Sequence, residues 1–202
     1  NVDLGKGQRV QVEYVSANPT GPLHMGSARN AVLGDALAAV LEAAGFQVQR
    51  EYYVNDAGSR MRVFGETLYA RYAQALGRDV PVPEDGYMGA YMVGLGAQIA
   101  REYGERFLDM SREQALAEIG ALGLENVVAQ AREDLAALGV YYDCWFSEQS
   151  LYSKGQFDRV MTILREANHL DVHDGAVWFK ATELGGDKDE VIIRSDGSPG
   201  YF

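Results

Sequence analysis

The chain has 202 residues, of which 47% are hydrophobic and 23% charged, and a formal net charge of −11. This is the composition of a globular protein with one sizeable core and room for an inserted subdomain. It excludes a membrane-spanning helix, because no apolar run approaches roughly 18–20 residues. It also argues against a general nucleic-acid surface, because the basic residues are scattered and form no run. Cys144 is the single cysteine, so neither an internal disulfide nor a cysteine-based zinc cluster is expected. With His24, His169 and His173 spread along the chain, no structural metal site is expected. No basic, apolar leader opens the sequence, which points to the cytoplasm.

Residues 9–15 alternate and are rich in β-branched side chains, as a strand does. Residues 16–22 are turn formers with two prolines and must be a loop. From about Pro22 a helix is expected, with Ala28, Val32, Leu33, Leu37, Val40, Leu41 and Ala44 at helical spacing and Gly45 as its C-terminal cap. Residues 46–54 read as a second strand, so the opening forms a βαβ unit of a Rossmann-like sheet. A second helix over residues 57–76 carries Met61, Phe64, Leu68, Tyr72 and Ala75 on one face. Residues 78–89 read as a linker, and the pattern is then helical to Leu138. Ser111 with Gln114 forms a capping box, and Gly120 and Gly123 are expected to break or kink the long final helix. Ser153 with Gln156 is a second expected capping box, opening a helix with Phe157, Val160, Met161 and Leu164. Residues 170–173 and 176–179 flank the hairpin turn Asp174-Gly175. Residues 191–194 are a last short strand before the turn Ser195-Asp196-Gly197. The ending on Tyr201-Phe202 lacks a polar tail and suggests a piece of a longer protein.

The chemistry concentrates between Glu13 and Gly34. A strand end, a Gly/Pro turn and a helix start meet there, and a helix start favours phosphate through its free N–H groups and dipole. Gly26 leaves the backbone open to a ligand, and His24 at the helix start can reach a phosphoryl oxygen. Met25 is expected to pack beneath the loop. Tyr52, Tyr53 and Trp145 are read as core. No G-x-G-x-x-G follows the first strand, so this is not a dinucleotide fingerprint.

The string Val12-Glu13-Tyr14-Val15-Ser16-Ala17-Asn18-Pro19-Thr20-Gly21-Pro22-Leu23-His24 resembles the ATP-binding signature of the bacterial arginyl-tRNA synthetase family, of class I. Further strings lie in family order along the whole chain. They include Arg50-Glu51-Tyr52-Tyr53-Val54-Asn55-Asp56, Pro83-Glu84-Asp85-Gly86-Tyr87, Trp145-Phe146-Ser147-Glu148 and Val191-Ile192-Ile193-Arg194. The resemblance implies an α/β fold, a Rossmann-like class I synthetase catalytic core with a partial parallel sheet, interrupted by a mainly helical insertion. Residues 1–77 would be the first half of the core, 78–190 a connective-peptide-like insertion, and 191–202 a truncated return to the core.

It implies, further, ATP-dependent activation of arginine and transfer to tRNA, with most tRNA contacts outside this chain and no membrane. His24 and Gly26 would be catalytic. Thr20, His24, Gly26 and Ser27 would bind ATP, with Mg2+ accompanying the nucleotide. Glu13, Ser16, Ala17, Asn18 and Ser27 would bind arginine. The family's second signature histidine is Ser27 here, which keeps a hydroxyl but loses reach and positive charge. Its Tyr/Asp pair for the arginine side chain and its Lys-Met-Ser-Lys-Ser-type loop have no counterpart within these residues. The isolated chain is therefore not expected to charge tRNA efficiently. The competing readings are a non-catalytic synthetase-like paralogue that binds a nucleotide or a partner, and another nucleotidyltransferase of related fold.

Overall fold

The first strand, β1 (Arg9–Glu13), runs into α1 (Met25–Ala43), which returns the chain to β2 (Gln47–Val54). β2 pairs parallel with β1, Arg9 opposite Gln47 and Glu13 opposite Glu51. This computed structural model describes residues 3–200; the Tyr201-Phe202 ending lies outside it. After β2 come three helices, α2 (Ser59–Ala75), α3 (Ala90–Tyr103) and α4 (Arg112–Ala137), and then β3 (Cys144–Ser147). β3 pairs parallel with the other edge of β2, giving the sheet order β1-β2-β3. The α/β class follows, and β3, within the stretch read as insertion, is a strand of the parallel sheet.

Two compact units divide the chain, one up to Glu148 and the other from Gln149 onward. The first has two cores. On the sheet, Val12, Tyr14, Tyr52 and Val54 pack with Ala31 and Ala38 of α1, Leu135 of α4 and Val140. Among the helices, Phe64, Leu68 and Tyr72 of α2 meet Met92 and Ile99 of α3, Phe107, and Ile119 of α4.

α1 presents a different face to the sheet from the one its periodicity suggests. Its buried residues are the small ones, Ser27, Ala31, Gly34 and Ala38. Val32, Leu33, Leu37 and Val40 are all more than half exposed. The reason is steric. A Cβ on Gly34 would stand 2.1 Å from Cγ of Tyr14, so only a small-residue stripe lets the helix settle onto that ring. The helix is apolar on both sides, and a 3.6-residue period cannot tell which side meets the sheet. Arg50 of β2 fixes the helix further, with Nη1 and Nη2 donating to Glu42 at 2.7 and 3.0 Å and Nε donating to Asp35 at 3.3 Å.

Gly120 and Gly123 do not break α4, which is continuous from Arg112 to Ala137. Gly123 is small because α2 lies against it: an added Cβ would come within 2.3 Å of Leu68 and 2.8 Å of Phe64. Ser111 caps this helix, accepting the Gln114 N–H at 3.3 Å. On the face of α2, Ala75 is exposed rather than packed.

The second unit holds α5 (Gln149–Ser153), α6 (Gln156–Glu166) and an antiparallel sheet of β4 (Leu170–His173), β5 (Ala176–Phe179) and β6 (Glu190–Ile193). Asp174 and Gly175 both have positive φ, 53° and 74°, as a two-residue hairpin turn requires. The expected cap at Ser153 is not formed. Ser153 ends α5, and Gly155 at φ 67° precedes α6 without a side-chain bond. A left-handed glycine turns the chain here where a serine hydroxyl was expected to hold it.

Candidate functional site

The loop from Tyr14 to His24 leaves the carboxyl end of β1 through a strained turn. Tyr14 is buried and its N–H bonds to the Glu51 carbonyl at 3.2 Å. Beyond it Val15 has φ 66° and Ser16 φ 41°, and the Ser16 N–H bonds back to the Tyr14 carbonyl at 3.0 Å. This is the rare positive-φ turn, and a β-branched residue in it costs about 1–3 kcal/mol. Neighbouring elements hold it in place. Asn30 of α1 accepts the Val15 N–H at 2.8 Å, and Ser16 Oγ accepts the Tyr53 N–H at 3.0 Å. The Ala17 N–H bonds Tyr52 Oη at 3.2 Å, and Asn55 donates to Asn18 at 3.2 Å.

This loop borders a cavity of about 570 Å³. Ser16, Ala17, Asn18, Thr20, His24, Gly26 and Ser27 are all walls of it. Glu13 is not a wall; it lies exposed on β1. The walls contain no Asp, Glu, Lys or Arg, so polar contact there comes from hydroxyls, amides, backbone and the His24 ring.

His24 is the N-cap of α1, with extended backbone. Its Nδ1 accepts the Gly26 N–H at 3.0 Å. That bond selects the tautomer: Nδ1 must be bare, so the neutral ring carries its proton on Nε2 and keeps one donor for a ligand. Gly26 makes the geometry possible, because a Cβ there would lie 2.8 Å from the ring's Cε1 and 3.0 Å from Nδ1. Ser27 is buried, and its Oγ accepts the His24 N–H at 3.5 Å, completing a capping box. The serine therefore serves the helix start. Met25 does not pack beneath the loop; it is 84% exposed, because the helix turns its small residues inward.

Val15, Gly21, Pro22, Asn30, Tyr87 and Tyr91 complete the walls and are residues the sequence reading missed. Tyr87 lies in the loop before α3 and Tyr91 in its first turn, and nothing local distinguishes either. Asn30 looks like any polar residue of an exposed helix turn.

At the same sheet edge, Ser147 Oγ donates to Asp56 at 2.6 Å, and the Glu148 N–H bonds the Val54 carbonyl at 3.0 Å. Burial first, and the negative Asp56 second, push the Glu148 carboxyl above its ordinary value. A raised acid binds more protons folded than unfolded, so its contribution falls as pH rises from about 4.3 through the raised value. Glu148→Gln should therefore melt higher than wild type at pH 7, with the gap closing near pH 4. A gap that is constant across that range would refute this origin.

Among the described residues no group of three or more His, Cys, Asp or Glu could hold a metal ion, and no helix is long and apolar enough to cross a membrane.

Comparison with known proteins gives the site a context. Residues 1–84 match the family model described as tRNA synthetases class I (R), catalytic domain. Arginine–tRNA ligase of Dehalococcoides mccartyi is 50% identical over 202 residues, and that of Geobacillus thermodenitrificans 48% identical over 200. These alignments take in 100% and 99% of this chain, which spans 36% of the length of either relative. A solved structure from Campylobacter jejuni, described as an arginyl-tRNA synthetase, superposes with a TM-score of 0.79 at 33% identity, covering 98% of this chain and 44% of that one. The arginyl-tRNA synthetase of Thermus thermophilus gives 0.65 at 25% identity, covering 96% and 34%. Nothing in these likenesses favours a non-catalytic paralogue. The chain belongs to the class I arginyl-tRNA synthetase family.

Proposed function

We propose that the cavity binds ATP and forms one side of a site in which a longer synthetase activates arginine before transferring it to tRNA. The observation that carries this reading is the His24 cap. With Nδ1 committed to Gly26, Nε2–H is a fixed donor beside the positive end of α1, where phosphate is favoured. Adenylation is an in-line displacement at the α-phosphorus: an arginine carboxylate oxygen attacks, the bond to the pyrophosphate oxygen breaks, and negative charge moves onto the leaving group. Placement and charge stabilisation drive such a step. His24 stabilises that charge, and Thr20, Gly26 and the helix start position the nucleotide. No carboxylate lines the cavity, so these walls would offer no carboxylate ligand to a magnesium ion accompanying ATP, whose charge would help neutralise the phosphates.

Ser16, Ala17, Asn18 and Ser27 stand on the side assigned to arginine, where Asn18 can bond the amino acid's polar head. The guanidinium calls for a carboxylate. Glu13 is outside the walls, so in the longer protein another segment supplies that partner. The helical part of 78–190 is the insertion, with β3 rejoining the core sheet. The parent enzyme works in the cytoplasm and contacts its tRNA mostly through other segments, in keeping with the charge of −11 here.

Equilibrium dialysis of the 202-residue chain against ATP and against arginine tests this. Saturable ATP binding with much weaker arginine binding is expected. Absence of ATP binding would overturn the reading.

A further inference from the structure

The two halves of the signature loop are held from different places. Its first half, Ser16 to Asn18, is bound to Tyr53 and Tyr52 of β2 and to Asn55 just after it. Its second half meets α3. Tyr91 Oη donates to the Thr20 carbonyl at 2.5 Å across 71 residues of sequence. The Tyr91 ring also lies so close to the turn that a Cβ on Gly21 would stand 3.1 Å from its Cζ, while one on Gly89 would stand 2.4 Å from its Cε1. Two glycines, one on the loop and one at the cap of α3, thus leave a slot that the ring fills.

We infer that Tyr91 is a positioning residue: from the helical part of the unit it sets where Thr20 and Gly21 stand in the cavity wall. Its consequence for ATP rests on the function proposed above. Its effect on the loop does not.

Pro19 and Pro22 stiffen this turn but contribute no N–H groups with which to anchor it. A short phenol-to-carbonyl bond, partly shielded from water, is the kind of contact that can hold such a turn against the helices. Burial also pushes the Tyr91 phenol up from its usual value, so the hydroxyl keeps its proton as donor at neutral pH. Through this contact, a shift of α3 against the sheet would move the nucleotide side of the cavity and leave the Ser16–Asn18 side on β2.

Hydrogen exchange on the 202-residue chain, read with ATP affinity and melting temperature, tests the assignment. Tyr91→Phe keeps the ring and removes only the donor. The Thr20, Gly21 and Leu23 amides should then exchange about three- to tenfold faster while Ala17 is unchanged, the size expected for one lost hydrogen bond. ATP should bind several-fold more weakly, with the melting temperature nearly unchanged. Gly21→Ala, which keeps the hydroxyl but crowds the ring, should shift the same amides. Faster exchange in a chain whose wild type binds no ATP would uphold the positioning role and refute the ATP reading. Unchanged exchange at Gly21 in Tyr91→Phe, whatever the ATP affinity, would overturn the positioning role.

Discussion

His24→Ala should weaken ATP binding by about tenfold to a hundredfold, the range expected when a hydrogen bond to a charged group is lost. The substitution removes two things at once. One is the Nε2 donor of a residue in the cavity wall. The other is the Nδ1 acceptor that caps Gly26, whose loss alone costs about 0.5–2 kcal/mol of stability. His24→Asn separates them, since asparagine is a good N-cap but its amide is too short to replace the ring's reach. The asparagine variant should melt close to wild type and still bind ATP poorly. Calorimetric titration of the three chains decides the matter: equal affinity in all three would remove His24 from the site. Recovery of affinity in the asparagine variant would mean that the cap, rather than the donor, is what ATP requires.

Gly34→Val should destabilise the first unit by about 3 kcal/mol, at the upper end of ordinary overpacking. The added Cβ would meet Tyr14 at 2.1 Å, and that ring cannot retreat easily. It is 5% exposed and packs against Tyr142 with ring centroids 4.6 Å apart. Tyr14 also immediately precedes the strained Val15-Ser16 turn, so moving it disturbs the geometry of the loop. The valine variant should therefore lose ATP affinity as well as stability. Ala36→Val, on the exposed side of the same helix, supplies the comparison, with an expected change within about 0.5 kcal/mol. Urea unfolding of both variants is the measurement. Similar midpoints would show that α1 does not depend on close approach at Gly34.

The order of elements was legible because each rests on local rules. Alternation marked β1 and β2, prolines and glycines marked the loop, and Asp174-Gly175 marked the hairpin. The site was partly legible for the same reason. Ser16 to Ser27 is one continuous string, and a strand end followed by a helix start brings its members together without help from distant chain. Tyr91 was not legible: it reaches Thr20 from 71 residues away, and nothing in its own stretch of sequence marks it. Glu13 adjoins the signature in sequence, yet it lies exposed on β1 and outside the cavity walls.

Composition, periodicity and the signature string were enough to establish an α/β fold and the family, and they singled out the loop that borders the cavity. They left open which side of α1 meets the sheet, because both sides are apolar and the choice falls to the contact between Gly34 and Tyr14. They also left open how a strained turn persists. Val15 and Ser16 keep positive φ only because Asn30 and Tyr53, on two other elements, bond them there. Packing and hydrogen bonds between distant segments are tertiary quantities, which the local rules for strands, turns and helices cannot supply.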